Sequence, residues 1–242
     1  MPRMSQAVTK THAESSRPTI PPLQNGDHLS GPEFERRWDA TPGLQKAELI
    51  EGVVYMAPAV SLRGHGVPQF RMIGLLGQYI LMTPGVVGAD NATVRLDLDN
   101  LPQPDICLLI APELEGAVNV GDDEDDVREG APEFVCEIAA TSASMDLHRK
   151  LHLYRRHGVK EYVVWRTLDG RIDYFIERGG DFQKLTPRPS GEFASEVLPG
   201  LWLDAPAVLR GDWQAAARKL QEGIGSPEHA AFVQRLPAKR KA

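Results

Sequence analysis

Apolar residues along this chain recur mostly at every second position or in short unbroken runs, a pattern typical of β-strands. Helical spacing dominates only in residues 67–82, which Thr83-Pro84-Gly85 ends, and in residues 143–157, which Gly158 caps. The pattern therefore predicts an α/β fold in which strands predominate. The predicted strands are 46–56 with a bend at Gly52, 86–88, 92–98, 105–110, 133–139, 161–167, 171–177 and 181–185.

The chain has 242 residues, enough for one large domain with tails. Residues 1–28 are rich in Ser, Thr, Pro and Gln and predict a disordered N-terminal arm. Residues 29–209 form the predicted domain, and residues 210–242 a C-terminal extension with two weak helices and a basic tail. No apolar run approaches the roughly 18 residues of a membrane span, and no secretory signal begins the chain. We expect a cytoplasmic protein without membrane contact.

Charge and cysteine content narrow the possible functions. The net charge of −6 counts against a non-specific coat on nucleic acid, so any contact with DNA needs a local basic patch. The acid run Asp122–Asp126 predicts a solvated loop, since it lacks the spacing of a calcium loop. The two cysteines, Cys107 and Cys136, should point to opposite faces of their strands, which excludes a disulfide framework or zinc site.

Two carboxylates stand out because each accompanies a strongly apolar strand. Asp105 opens the run Ile-Cys-Leu-Leu-Ile, and Glu137 lies inside Phe-Val-Cys-Glu-Ile-Ala. An ionised carboxylate in such a place is costly unless it binds a cation, a donor or water. Two carboxylates from adjacent strands make a hard oxygen site of the kind that Mg²⁺ or Mn²⁺ prefers. The alternative is that Asp105 caps a turn after Pro104 and that Glu137 pairs with a nearby arginine.

The predicted helix over residues 143–157 contains a lysine that can reach the two carboxylates. Asp146, Lys150 and Tyr154 are spaced i, i+4 and i+8 and therefore line one face of the helix. From there Lys150 can lean over the strand ends and stabilise negative charge on a phosphoryl group. The alternative is an ordinary Asp146–Lys150 helix pair, worth a few tenths of a kcal/mol.

These residues, in this order, resemble a large bacterial family of putative restriction endonucleases within the PD-(D/E)XK nuclease superfamily. The resemblance rests on Gln103-Pro104-Asp105, Glu137, Asp146, Lys150 and Tyr154, on Glu48 to Gly52 and His65 upstream, and on Ser195 and Leu198 to Leu201 downstream. It covers about residues 30 to 209. It implies a restriction-endonuclease-like mixed central β-sheet flanked by helices, with Asp105 and Glu137 as metal ligands.

The chain departs from the superfamily at its lysine. The superfamily usually has a lysine two residues after the second acid, where this chain has Ala139, and Lys150 on the next helix can replace it. Glu48 is predicted as an additional metal or water ligand, or else as a surface strand residue. His65 is predicted as a proton carrier near the site, or else as a polar residue at a helix end. The histidines of the lysine-bearing helix, His148, His152 and His157, are predicted to be solvated.

The resemblance and the residues together imply a magnesium-dependent endonuclease acting on DNA, with Asp105, Glu137 and Lys150 as catalytic residues and Glu48, His65 and Asp146 in support. The alternative is a non-catalytic binding or assembly module with the same fold. A third possibility is hydrolysis of RNA or another phosphodiester. A homodimer is expected because such nucleases cut two strands, and the apolar segments 201–209 and 230–236 are candidate interfaces.

Overall fold

The computed structural model describes residues 20–44, 46–56, 61–111, 114, 116 and 128–238. The first 19 residues of the predicted arm, the acid run Asp122–Asp126 and the last four residues lie outside the described residues. Within these ranges, no helix combines the length and the apolar surface that crossing a membrane would require.

The strands agree closely with the apolar pattern of the sequence. Residues 46–56 form a hairpin that bends at Glu51 and Gly52, both of which have positive φ angles. The strands are β1 (Ala47–Ile50), β2 (Val53–Met56), β3 (Val86–Asp90), β4 (Val94–Arg95), β5 (Ile106–Ile110), β6 (Arg128–Glu129), β7 (Phe134–Ala139), β8 (Glu161–Arg166), β9 (Arg171–Arg178), β10 (Asp181–Lys184), β11 (Glu192–Ala194) and β12 (Trp202–Asp204).

Two of the helices contain a wider π-helical turn. Leu62–Gly66 forms one such turn and leads directly into α2, and Asp146–Lys150 forms the other and joins α3 to α4. Residues 143–156 are therefore one continuous helix, here called the lysine helix. The α-helical segments are α1 (Gly31–Asp39), α2 (Val67–Met82), α3 (Ala143–Met145), α4 (Leu151–Arg156), α5 (Ala205–Arg210), α6 (Trp213–Ile224) and α7 (Pro227–Ala238).

Six of the strands form one mixed central sheet in the order β10-β9-β8-β7-β5-β3. Strands β7 and β8 run parallel, and the other neighbouring pairs run antiparallel. A parallel pair needs a crossover connection, and the lysine helix supplies it between β7 and β8. The predicted α/β fold, a mixed central sheet flanked by helices, is confirmed.

The alternation of side chains along the strands separates two apolar layers. Cys107 and Val135 belong to the layer beneath the lysine helix. Cys136 and Ile106 belong to the opposite layer, which packs against α2 and the C-terminal helices. The prediction that the two cysteines face apart is confirmed, and both are free thiols. Glu137 follows Cys136 by one residue and therefore faces the lysine helix.

The C-terminal apolar segments are part of the core. Leu201, Leu203 and Val208 are buried, as are Phe232 and Leu236 on α7, and all pack in the layer that includes α2. The prediction that segments 201–209 and 230–236 supply a dimer interface is therefore wrong for most of their apolar side chains, because the chain itself already covers them. The two weak helices predicted within residues 210–242 correspond to α6 and α7.

A buried carboxylate on β8 binds the loop between β11 and β12 to the central sheet. Glu161, the first residue of β8, accepts hydrogen bonds from Ser195 Oγ at 2.6 Å and Tyr174 OH at 2.7 Å. Its other oxygen accepts from the main-chain N–H groups of Glu196 at 2.8 Å and Val197 at 3.3 Å. Burial raises the pKa of Glu161 above its ordinary value, although the four donors oppose the rise. Glu161 and Ser195, of which Ser195 is a residue of the resemblance, thus hold the loop between β11 and β12.

The predicted disordered arm ends earlier than residue 28. Leu23 is buried in a small apolar cluster with α1 and the β1–β2 hairpin. Gly26 N donates to Val54 O and Leu29 N donates to Gly52 O, each at 2.8 Å. The prediction of disorder is therefore wrong for residues 23–28, because these main-chain hydrogen bonds attach them to the outer edge of the hairpin.

Candidate active site

Asp105 and Glu137 lie side by side because β5 and β7 are neighbouring strands. Main-chain groups connect the two carboxylates: Ile138 N donates to Asp105 Oδ2 at 2.9 Å, and Asp105 N donates to Glu137 Oε2 at 3.4 Å. Both side chains are buried. The alternative in which Asp105 caps a local turn and Glu137 pairs with an arginine does not describe these contacts.

Lys150 is surrounded by carboxylates. Its Nζ lies 2.9 Å from Glu137 Oε1 and 2.8 Å from Glu48 Oε1. Asp146 Oδ1 is farther away, at 3.9 Å. The Asp146–Lys150 helix pair is thus the longest of the three contacts. The ammonium group mainly contacts Glu48 on β1 and Glu137 on β7. The structure brings Asp105, Glu137 and Lys150 together in one place.

Glu48 is buried on β1, so the alternative of a surface strand residue is wrong. Gln103 N donates to Glu48 Oε1 at 2.7 Å, and this same oxygen contacts Lys150. Main-chain hydrogen bonds between Leu49 and Leu101 attach β1 to the segment that precedes β5. These contacts fix the position of the Glu48 carboxylate at the site.

The lysine helix presents Asp146 and Tyr154 on the same face as Lys150, as their spacing predicts. Tyr154 OH donates to Glu137 Oε1 at 3.1 Å, and Ser142 Oγ donates to Asp146 Oδ2 at 2.6 Å. The π-helical turn over Asp146–Lys150 was not predicted. Such turns are frequent at functional sites because the extra residue redirects side chains.

A second lysine, Lys46, enters the site from the residue before β1. Its Nζ lies 2.9 Å from Asp105 Oδ1 and 3.0 Å from Asn91 Oδ1. Neither Lys46 nor Asn91 was predicted as a site residue. One signal was available for the lysine, since Lys46 and Glu48 are two positions apart and share a strand face.

His65 reaches the acids from the π-helical turn that precedes α2. Its Nδ1 lies 2.8 Å from the carbonyl oxygen of Ile138, and its Nε2 lies 3.5 Å from Asp105 Oδ1. The histidines of the lysine helix lie away from the acids. His148 and His152 are exposed, as predicted. The prediction is wrong for His157, which is 17% exposed and has its Nε2 2.7 Å from Asp97 Oδ2.

The two acids of the pair differ in their electrostatics. Burial, reinforced by the charges of Asp105, Asp146 and Glu48, raises the pKa of Glu137 to about 8 despite the opposing charge of Lys150. Burial also acts to raise the pKa of Asp105, but the positive charge of Lys46 and the contribution of His65 outweigh it, so this pKa is lowered. For Lys150, the surrounding carboxylates outweigh burial and raise the pKa.

A cavity of about 320 Å³ is lined by the charged and polar residues Lys46, Glu48, His65, Asp105, Glu137, Asp146 and Lys150, together with Tyr55, Ser61 and Met145. Mg²⁺ commonly uses one or two protein carboxylates and completes its shell with water and substrate phosphate. Asp105 and Glu137 fit this donor set. In the part of the chain that the structure describes, no group of three Asp, Glu, His or Cys side chains is arranged to hold an ion by itself.

The charge balance of the cavity also suits a divalent cation. When all groups are ionised, four carboxylates and two ammonium groups leave two negative charges. The carboxylates belong to Glu48, Asp105, Glu137 and Asp146, and the ammonium groups to Lys46 and Lys150. Uncompensated charge in a buried place is unfavourable. It is relieved either by a proton on Glu137, whose pKa is raised to about 8, or by a bound cation.

Comparisons with known proteins agree with this architecture. Among solved structures, the chain is similar to a putative nuclease belonging to DUF820 from Anabaena variabilis, with a TM-score of 0.60. The two are 13% identical, and the match covers 76% of this chain and 98% of the other, so it supports the fold alone. No curated protein matches the chain.

A family model gives the more direct assignment. The model of the Uma2 family, described as "putative restriction endonuclease", matches residues 32–206. This range contains both π-helical turns, the acid pair and both lysines of the cavity. The match extends over well more than half of the chain, and the chain therefore belongs to the Uma2 family.

Proposed function

We propose that the chain is a metal-dependent endonuclease that hydrolyses phosphodiester bonds in DNA. One observation carries this proposal: Asp105 and Glu137 meet at neighbouring strands of a mixed sheet, with the ammonium group of Lys150 at 2.9 Å from Glu137, inside a concave cavity. Membership in a family of restriction endonuclease-like proteins supports a nuclease-like activity.

Asp105 and Glu137 would hold Mg²⁺ or Mn²⁺. When bound, such an ion polarises a phosphoryl oxygen and makes water a stronger nucleophile at neutral pH. Other groups of the chain hold the two carboxylates in position. Lys150 and Tyr154 fix Glu137 Oε1 from the helix side, and Ile138 N fixes Asp105 Oδ2 from the strand side. Fixed donors and charges of this kind need little reorganisation during the reaction.

His65 and Glu48 support the acid pair in different ways. The Nε2 atom of His65 lies 3.5 Å from Asp105, which is close enough for the ring to carry a proton to or from the reacting groups. Glu48 is held by Gln103 N and Lys150, so it keeps the ammonium group in place rather than moving itself.

A plasmid-nicking assay tests the proposal. In the presence of millimolar Mg²⁺ or Mn²⁺, the protein is expected to convert supercoiled DNA to nicked and linear forms, and EDTA should stop the reaction. Asp105→Asn and Glu137→Gln should each lower the initial rate by about 100-fold or more, because each removes a charged ligand. Calorimetry should show that Mn²⁺ binding weakens in the same two variants.

Matched controls replace exposed acids outside the cavity. Asp181→Asn and Glu129→Gln remove carboxylates that are 69% and 61% exposed and should cleave at the wild-type rate. A wild-type protein that takes up no Mn²⁺ and cuts neither DNA nor RNA would contradict the proposal. Cleavage of RNA alone would change the substrate class.

The non-catalytic alternative also has an observation in its favour. Each acid of the pair already contacts an ammonium group, Asp105 through Lys46 and Glu137 through Lys150, and such pairs are found in purely structural networks. A binding or assembly module would keep these ion pairs with no metal uptake. The homodimer and the cytoplasmic location stay predictions.

A further inference from the structure

The two lysines of the cavity have different surroundings, and the difference separates their roles. The side chain of Lys150 is 5% exposed, and that of Lys46 is 21% exposed. An ammonium group has three N–H donors and no acceptor. The Nζ of Lys150 lies within hydrogen-bond distance of the carboxylates of Glu48 and Glu137, whereas Asp146 Oδ1 is farther away at 3.9 Å. Because it is almost fully buried between two carboxylates, Lys150 is poorly placed to reach a substrate.

Lys46 contacts one carboxylate and one neutral group. Its Nζ lies 2.9 Å from Asp105 Oδ1 and 3.0 Å from Asn91 Oδ1, which leaves one of its three donors without a protein partner in the described part of the chain. Lys46 and Asp105 both line the cavity, and Asp105 is one of the two acids that would hold the metal ion. The remaining donor of Lys46 is therefore available to a substrate phosphoryl oxygen in this cavity.

Asn91 fixes the direction of Lys46. Its φ angle of 49° is in the left-handed region, which asparagine tolerates better than most residues. Its main-chain N–H donates to Asp105 O at 3.3 Å, and its side chain Nδ2 donates to Asp90 Oδ1 at 2.8 Å. The amide oxygen is thereby turned toward Lys46.

We propose that Lys46, and not Lys150, is the ammonium group that contacts the scissile phosphate, and that Asn91 is its positioning residue. This inference rests on the proposed phosphodiester hydrolysis. Negative charge grows on the phosphoryl oxygens as the bond to the leaving oxygen breaks, and a fixed ammonium group close to those oxygens lowers the barrier. Lys150 instead holds the carboxylates of the cavity in place.

Steady-state kinetics on a short labelled DNA duplex, at saturating Mn²⁺, test this assignment. Lys46→Met should lower kcat by about 100-fold with KM within about threefold of wild type, because the contact forms mainly in the transition state. Asn91→Gly keeps the left-handed backbone but removes the amide, and should lower kcat about tenfold. Combined with Lys46→Met, it should cause little further loss, because both act through one ammonium group. Lys160→Met, an exposed lysine outside the cavity, is the matched control.

Chemical rescue separates a reacting contact from a structural one. Added ethylammonium should restore part of kcat in Lys46→Ala, because the truncated side chain leaves an accessible space beside Asp105. It should not restore Lys150→Ala, where the space is buried. An active wild type with unchanged kcat in Lys46→Met, or with loss of Mn²⁺ affinity only, would overturn this inference alone. Rescue of Lys150→Ala but not Lys46→Ala would also overturn it. An inactive wild type would overturn both this inference and the proposed function.

Discussion

Replacing Lys150 with methionine is expected to lower the free energy of unfolding by about 3–5 kcal/mol at pH 9, and by less at pH 7, where protonation of Glu137, whose pKa is raised to about 8, relieves part of the charge. The substitution keeps most of the unbranched side chain and removes the ammonium group. Three buried carboxylates, those of Glu48, Glu137 and Asp146, then share a small volume without the ammonium group between them. A buried charge that loses its partner costs far more than an exposed one.

Urea unfolding followed by circular dichroism measures this loss. The double variant Lys150→Met/Glu137→Gln should recover part of the stability, since it removes one of the unpaired charges. Lys160→Met is the control, because Lys160 is 49% exposed in its pair with Glu177 and its loss should change stability by less than about 0.5 kcal/mol. A Lys150→Met variant as stable as wild type would show that water or another group compensates the carboxylates.

The second large effect is expected far from the cavity, at Glu161. Glu161→Ala should lower the free energy of unfolding by about 2–4 kcal/mol, because it leaves two hydroxyl and two main-chain donors without their acceptor in a buried place. Those donors are Tyr174 OH, Ser195 Oγ, Glu196 N and Val197 N. Glu161→Gln keeps one carbonyl oxygen and should lose less.

Thermal and urea unfolding of these variants test the role of Glu161. Glu196→Ala is the matched control: it removes a carboxylate that is 50% exposed and leaves its main-chain donor to Glu161 intact. Equal stability of Glu161→Ala and Glu196→Ala would contradict the assignment. Glu161→Ala should leave Mn²⁺ binding unchanged, since Glu161 faces the layer opposite the cavity.

The sequence was sufficient for the sheet, the acid pair and the lysine helix because each is encoded locally. Asp105 and Glu137 are polar interruptions of apolar strands, and the spacing of Asp146, Lys150 and Tyr154 determines the helix face within three turns. Once β5 and β7 are neighbours in the sheet, these side chains must converge.

Contacts between distant parts of the chain could not be predicted in the same way. Lys46 and Asp105 are 59 positions apart, and no local pattern connects a lysine before a hairpin to a particular acid. The C-terminal apolar segments were mistaken for an interface because periodicity shows that a face is buried, but not which partner buries it. The π-helical turns have no distinct sequence signature.

The separation of the two cysteines provides a natural pair of reporters. Burial raises the pKa of Cys107 to about 12 and that of Cys136 well above its ordinary value, and only the thiolate reacts readily with electrophiles. Alkylation of either thiol therefore requires local opening. The alkylation rate of Cys107 reports the opening of the layer beneath the lysine helix, and that of Cys136 reports the opening of the layer against α2. Comparing the two rates shows which of the two layers opens more readily.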